Sequence, residues 1–236
     1  MSELSARWWR RDAAVALLGL LLVLAWDASG LDLPLARLAG DAHGFALRND
    51  WLMQHVLHDG AALVAQGVFV LLGLNVLWPL PLVGNMPRAA RLRWWLIALV
   101  CALVISLLKH SSQISCPWSL AEFGGSAHKL PHLSFDAWFG AGDGGPGRCF
   151  PAGHVSNAFA LVVGTFALRP VSVRASRRWL AAVCVLGLVL ATTQLLRGAH
   201  FASHSLWTAW ICWSLGALLW HATSQLRGRQ GRLHTA

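Results

Sequence analysis

Five side chains between residues 109 and 204 of this sequence have the types and spacing needed to handle a phosphate: Lys109, His154, Arg197, His200 and His204. Lysine and arginine gather an anion, and helix N-termini around them add partial positive charge. Two histidines in one site permit a nucleophile and a proton donor. The spacing of His200 and His204 also suits zinc on a helix, as does that of His128 and His132. No carboxylate accompanies either pair at a recognised spacing, so the expectation is a site without metal or other cofactor.

These residues sit at the ends of long apolar runs. Of 236 residues, 56% are hydrophobic and only 12% charged. Apolar runs occupy 13–26, 61–82, 94–108, 155–168, 179–196 and 205–220. The longest spans a bilayer unaided, since about 20 apolar residues cover the hydrocarbon core. The shorter runs rely on flanking residues: Trp8 and Trp9 extend the first, and arginines at the ends can snorkel. The expected fold is all-α, a polytopic membrane bundle of about six helices forming a single domain over 1–236. Residues 27–60 are amphipathic and predict short interfacial helices on the outer side. Segment 109–153 is long and rich in Gly and Pro, the composition of a functional loop.

Net charge is +9, which alone would suit nucleic acid, but its distribution excludes that partner. If the six runs alternate across a membrane, segments 1–12, 83–93, 169–178 and 221–236 share one side, with thirteen of the nineteen Lys and Arg. The other side holds eight of the ten acidic residues. This is the positive-inside pattern, so both termini are expected in the cytoplasm. A cleavable signal peptide is the competing reading of the first run, but its removal would leave five spans and disturb the charge alternation. The site residues then all lie outside, together with nine of the eleven histidines. Asp27, Asp32, Asp41, Asp50 and Asp59 read as a solvated outer face, and His110, His128 and His132 as solvated or headgroup-facing.

The site residues fall into three ordered motifs: Lys109-(six residues)-Cys116-Pro117, Pro151-Ala152-Gly153-His154, and Thr193-Gln194-(five residues)-His200-(three residues)-His204. In order, spacing and expected topology, the chain over roughly 60–220 resembles the type-2 phosphatidic acid phosphatase family, written K-x6-R-P, P-S-G-H and S-R-x5-H-x3-D. The resemblance implies a metal-free phosphatase or phosphotransferase. His200 takes the phosphoryl group, His154 protonates the leaving oxygen and later activates water, and Lys109 binds phosphate. Gly153 would let the backbone approach that phosphate. It also implies a lipid phosphate substrate (polyprenyl pyrophosphate, lipid A phosphate or glycerophospholipid phosphate) at the outer leaflet, among membrane lipids. With the short positive-inside loops, it leans toward a bacterial inner membrane with the site facing the periplasm.

Four positions depart from the family pattern. Cys116 and Gln194 stand where arginines are expected, His204 where an aspartate orients the nucleophile, and Ala152 where a serine is expected. Arg197, three residues after Gln194 and on its face if helical, and Arg148, just before the second motif, are the candidate replacements. His204 can still accept from the His200 ring but brings no negative charge. Of the five cysteines, Cys101, Cys184 and Cys212 fall in apolar runs and read as small buried hydrophobes. Cys116 and Cys149 share the long outer loop, where a disulfide would pin the loop and position Arg148, the alternative being two free thiols. A non-catalytic lipid-phosphate binder or transporter that retains the pocket is the rival function.

Overall fold

A computed structural model describes residues 3–233, so residues 1–2 and 234–236 of the two basic terminal flanks lie outside the described residues. The side chains of Arg227, Arg229 and Arg232, counted above as basic, also lie outside them. The elements are α1 (Glu3–Ser29), α2 (Asp32–Ala36), a hairpin of β1 (Gly40–Asp41) and β2 (Gly44–Phe45), a π-helix (Leu52–Gly60) leading into α3 (Ala61–Leu77), and α4 (Arg88–Ser111). After the long loop come α5 (Gly153–Phe159), a 3-10 turn, α6 (Val163–Leu168), α7 (Val173–Leu196) and α8 (Ala202–Leu233).

The protein is a mostly α-helical, membrane-associated bundle. Among the described residues, four stretches are long and apolar enough to cross a bilayer: Ala6–Ser29, Leu52–Leu77, Arg88–Ser111 and Val173–Leu196. Gly153–Leu168 is apolar but shorter. Leu17, Leu18, Leu21, Leu63, Leu107, Val185 and Leu188 remain exposed on these helices. In water such a belt would be unfavourable; in lipid it needs no cover. Cys184 belongs to this exposed surface, contrary to the buried position expected of it. A lipid-facing thiol costs nothing that burial would save.

The core lies where α4, α5, α6 and α8 converge, around Trp94, Ile105, Val163, Phe166 and Leu168. Close approach there depends on Gly164, since a Cβ on it would meet the rings of Trp179 and Trp94 at 2.3 and 2.5 Å. α1 packs along α8, where Trp210 Nε1 donates to the Ala16 carbonyl at 2.8 Å. At the basic end of the bundle, Asp12 accepts from both Arg169 nitrogens at 2.9 and 3.0 Å and meets His221 Nε2 at 2.9 Å. A carboxylate this buried is tolerable only with such partners.

Residues 27–60 differ from the expectation. Only α2 is a short separate helix; the middle is the β1–β2 hairpin, and the end is the π-helix that runs without a break into α3. Residues 52–60 therefore extend the apolar stretch Leu52–Leu77, with Leu52 and Val56 exposed on its surface. The five aspartates are not a uniform solvated face either. Asp32 is 3% exposed and accepts from Trp26 Nε1 and the Ser203 backbone N–H. Asp27 accepts from Trp207 Nε1 at 2.9 Å and pairs with His132 Nδ1 at 3.0 Å. His132 is consequently buried, not solvated. His110 and His128 are exposed.

Candidate active site

Three chain segments meet at one end of the bundle. α4 brings Lys109 in its last turn, α5 begins with Gly153 and His154, and the turn from α7 to α8 carries Arg197 and His200. That turn needs Gly198, whose φ is +71°. A Cβ there would also strike the Phe45 ring, so β2 caps the turn from outside. The Gln194 carbonyl closes the turn by accepting from the Ala199 and His200 N–H groups at 2.8 and 3.2 Å. α8 is tied to the second motif through Ala152, whose N–H donates to the His204 carbonyl at 3.2 Å and whose carbonyl accepts from Thr208 Oγ1 at 3.1 Å.

Lys109 packs directly on Gly153. A Cβ at residue 153 would lie 3.0 Å from Lys109 Cδ and 3.4 Å from its Nζ. The glycine therefore makes room for the lysine stem as well. The physical reason is that a Cβ-sized gap beside a helix start is filled by the nearest flexible chain.

His200 is buried with its Nδ1 3.3 Å from His204 Nδ1 and 3.5 Å from Cys149 Sγ. Its Nε2 has no protein partner among the described residues. Burial, and after it the charges of Lys109, His154 and His58, push the His200 imidazole down from its ordinary range to about 3, against a backbone hydrogen bond to Cys149. It is therefore a neutral base throughout the physiological range. His204 is completely buried, with the rings of His132, Phe150 and Phe201 at 5.2, 5.3 and 5.5 Å. Its Nε2 has no hydrogen-bond partner among the described residues.

Two facing Nδ1 atoms fix the tautomers of neutral rings, because one must donate and the other accept. If His200 donates from Nδ1, its Nε2 carries the free lone pair. His204 then accepts at Nδ1 and is protonated at Nε2. The reverse assignment would place a proton on the open nitrogen of His200 and remove its nucleophilicity.

His154 stacks on His58 with centroids 3.6 Å apart and planes 13° off parallel. His58 Nδ1 is 2.7 Å from Asp59 Oδ1, and His55 Nδ1 lies 3.3 Å from the other oxygen. Sequence reasoning missed His58 and gave Asp59 no partner. The available signal was the unbroken helical spacing of 55, 58 and 59 toward the following apolar run. The π-helical winding then sets which face they share.

Cys116 and Cys149 are joined in a disulfide. The cystine backs His200, so the cysteine at the first motif's arginine position reaches the site through its bonded partner. Arg148, at φ 58°, is exposed, with its N–H on the Ser112 carbonyl at 2.8 Å and no partner for its guanidinium among the described residues. Arg197 is buried and donates from Nε to the Arg48 carbonyl at 3.0 Å. Burial lowers its guanidinium pKa, opposed by Asp59, which places it on the Asp59 side of the site. Gln194, read from sequence as a lost arginine, is buried with its Nε2 donor unpartnered.

Cys149, His200 and His204 form one cluster of metal-ligand types, and Asp27, Asp32 and His132 another. In the first, the Cys149 sulfur is engaged in the cystine and is no thiolate ligand. In the second, Trp, Ser and His donors already occupy three of the four carboxylate oxygens, and Lys129 Nζ stands 3.8 Å from Asp32. His128 is exposed and His132 buried, with no helix over 128–132 to give the pair its expected helical spacing.

Residues 91–227 match the PAP2 superfamily. Comparison with curated proteins gives no match. Among solved structures, the chain is similar to the crystal structure of a transmembrane PAP2-type phosphatidylglycerolphosphate phosphatase from Bacillus subtilis. The TM-score is 0.52 and identity 18%, over 92% of this chain and 96% of that one.

Proposed function

This chain belongs to the PAP2 superfamily, and from that we propose that it is a membrane phosphatase or phosphotransferase acting on a lipid phosphate or pyrophosphate. The observation that carries the reading is the buried neutral His200, with Nδ1 held by His204 and Nε2 left free, within the field of Lys109.

In this reading the His200 Nε2 lone pair attacks phosphorus and the bond from phosphorus to the lipid oxygen breaks. That oxygen takes a proton from His154. Water, or another hydroxyl in a transfer reaction, then attacks the phosphohistidine while His154 takes its proton, releasing phosphate and restoring His200. Lys109 and the free amide of Gln194 stabilise charge on the transferring oxygens, with Arg197 and Arg148 as guanidinium donors at the rim. Burial, and after it the charge of His58, hold the His154 imidazole down to about 4, with Asp59 opposing, so His154 carries the proton it donates only once the anionic substrate phosphate lies beside it. No metal ion is required by these steps.

We place the protein in a bacterial inner membrane, as one domain with about six crossings and both termini in the cytoplasm. The site then faces the periplasm, where a cystine between Cys116 and Cys149 is stable. The test is phosphate release by purified protein from polyprenyl pyrophosphate, lipid A phosphate and phosphatidic acid, with EDTA and with vanadate. Release that resists EDTA, is blocked by vanadate and is lost in His200→Ala is expected. Loss with EDTA and recovery with zinc would overturn the metal-free reading, and binding without turnover would favour a lipid-phosphate binder.

A further inference from the structure

Away from the candidate active site, a groove of about 510 Å³ opens between α1 and α7, floored by α6 and α8. Its wall is largely apolar, with Val15, Leu22, Leu180 and Val183 along its length. Its charged end is formed by Arg11, Arg177, Asp12 and Arg169 beside Trp8. Asp12 is already neutralised by Arg169 and His221. Arg11 and Arg177 are exposed and have no ion-pair or hydrogen-bond partner among the described residues, so this end is net positive.

A second observation lies in the wall of the same groove. Thr165 lines it, is 3% exposed, and its Oγ1 has no hydrogen-bond partner. A helical threonine ordinarily returns its hydroxyl to the carbonyl four residues earlier. Here the Leu161 carbonyl is taken by Trp179 Nε1 at 2.7 Å. The hydroxyl is left as a buried, unpartnered donor in the wall of the groove, a position with a free-energy cost unless a ligand oxygen reaches it.

We propose that this groove is a binding site for an intact anionic phospholipid, distinct from the substrate site. An acyl chain lies along the apolar wall, an ester oxygen accepts from Thr165, and the headgroup phosphate sits between Arg11 and Arg177. A phospholipid is the occupant because only that chemistry joins a long apolar body to a phosphate through polar ester atoms. The volume is within the range of ligand sites, and paired arginines at a membrane interface recognise anionic headgroups. Under the topology given above, the lipid comes from the cytoplasmic leaflet, opposite the substrate. The site does not depend on the phosphatase reading.

The test is native mass spectrometry of delipidated protein in detergent, titrated with phosphatidylglycerol and phosphatidylcholine of identical acyl chains. Roughly tenfold preferential retention of phosphatidylglycerol is expected. It should fall to the phosphatidylcholine level in Arg11→Gln/Arg177→Gln, persist in Arg11→Lys/Arg177→Lys, weaken several-fold in Thr165→Val, and persist in Lys109→Ala. Equal retention of the two lipids by the unaltered protein overturns the proposal without any variant. So does preference unchanged by the glutamine pair, or preference lost in Lys109→Ala, which would assign the lipid to the candidate active site.

Discussion

His200 and His204 face each other through their Nδ1 atoms at 3.3 Å, with the Cys149 sulfur 3.5 Å from the same His200 nitrogen. Among the described residues, no carboxylate is hydrogen-bonded to His200. In the proposed mechanism an imidazole therefore does the orienting, with His204 as the acceptor.

Replacing His204 by Phe keeps the ring volume among His132, Phe150 and Phe201 but removes the acceptor. His200 is then free to carry its proton on Nε2. Phosphate release should fall about a hundredfold in kcat with KM little changed. Steady-state kinetics on a soluble short-chain lipid phosphate, with thermal unfolding as the folding control, check this.

Gly153→Ala places a Cβ 3.0 Å from Lys109 Cδ and 3.4 Å from Nζ. The stem must move, and the charge with it. A tenfold to hundredfold loss of kcat/KM is expected, with only a small change in unfolding temperature. Lys109→Ala should lose at least as much, and the double variant little more than Lys109→Ala alone, since both act through one charge.

The pH dependence of stability follows from His200. Its folded pKa of about 3 lies below its ordinary value of 6.5. The unfolded chain takes up a proton below about pH 6.5, while the folded protein does not until far lower. The His200 contribution to stability is thus fully present above that pH and is lost progressively as pH falls toward 3. Unfolding temperatures at pH 7.5 and 4.5 should differ more for the unaltered protein than for His200→Phe. Equal acid sensitivity of the two would contradict the buried neutral histidine.

The Cys116–Cys149 cystine closes a loop of sequence separation 33. Chain entropy gives such a cross-link about 3–4 kcal/mol. Cys116→Ser/Cys149→Ser should unfold at a lower temperature and also lose activity, because the cystine backs His200. Matching loss on treatment of the unaltered protein with dithiothreitol, and none further in the serine pair, would tie both effects to this bond.

Much of this was legible in the residues themselves. The apolar runs and the basic flanks carry the bundle, because lipid demands long uncharged stretches and each needs many residues to encode. Lys109, His154 and His200 were legible because their spacings are fixed by helix ends. The packing of Lys109 on Gly153 was not, because a missing side chain does not say what fills its place. His58, Asp59 and His132 were obscured because their partners lie far along the chain or depend on π-helical winding that no local pattern announces. Gln194 reads as a loss on paper, whereas burial leaves its amide as an unpartnered donor beside the His200 turn.

The central claim is a covalent phosphoryl intermediate on His200 Nε2. Rapid quench of the enzyme with lipid phosphate at alkaline pH, where phosphohistidine survives, followed by peptide mass spectrometry and phosphorus NMR, tests it most directly. The expected result is one acid-labile phosphoryl group per chain on His200, absent in His200→Ala and longer-lived in His154→Ala. Turnover at full rate with no trapped phosphohistidine, or with the label on another residue, would contradict it.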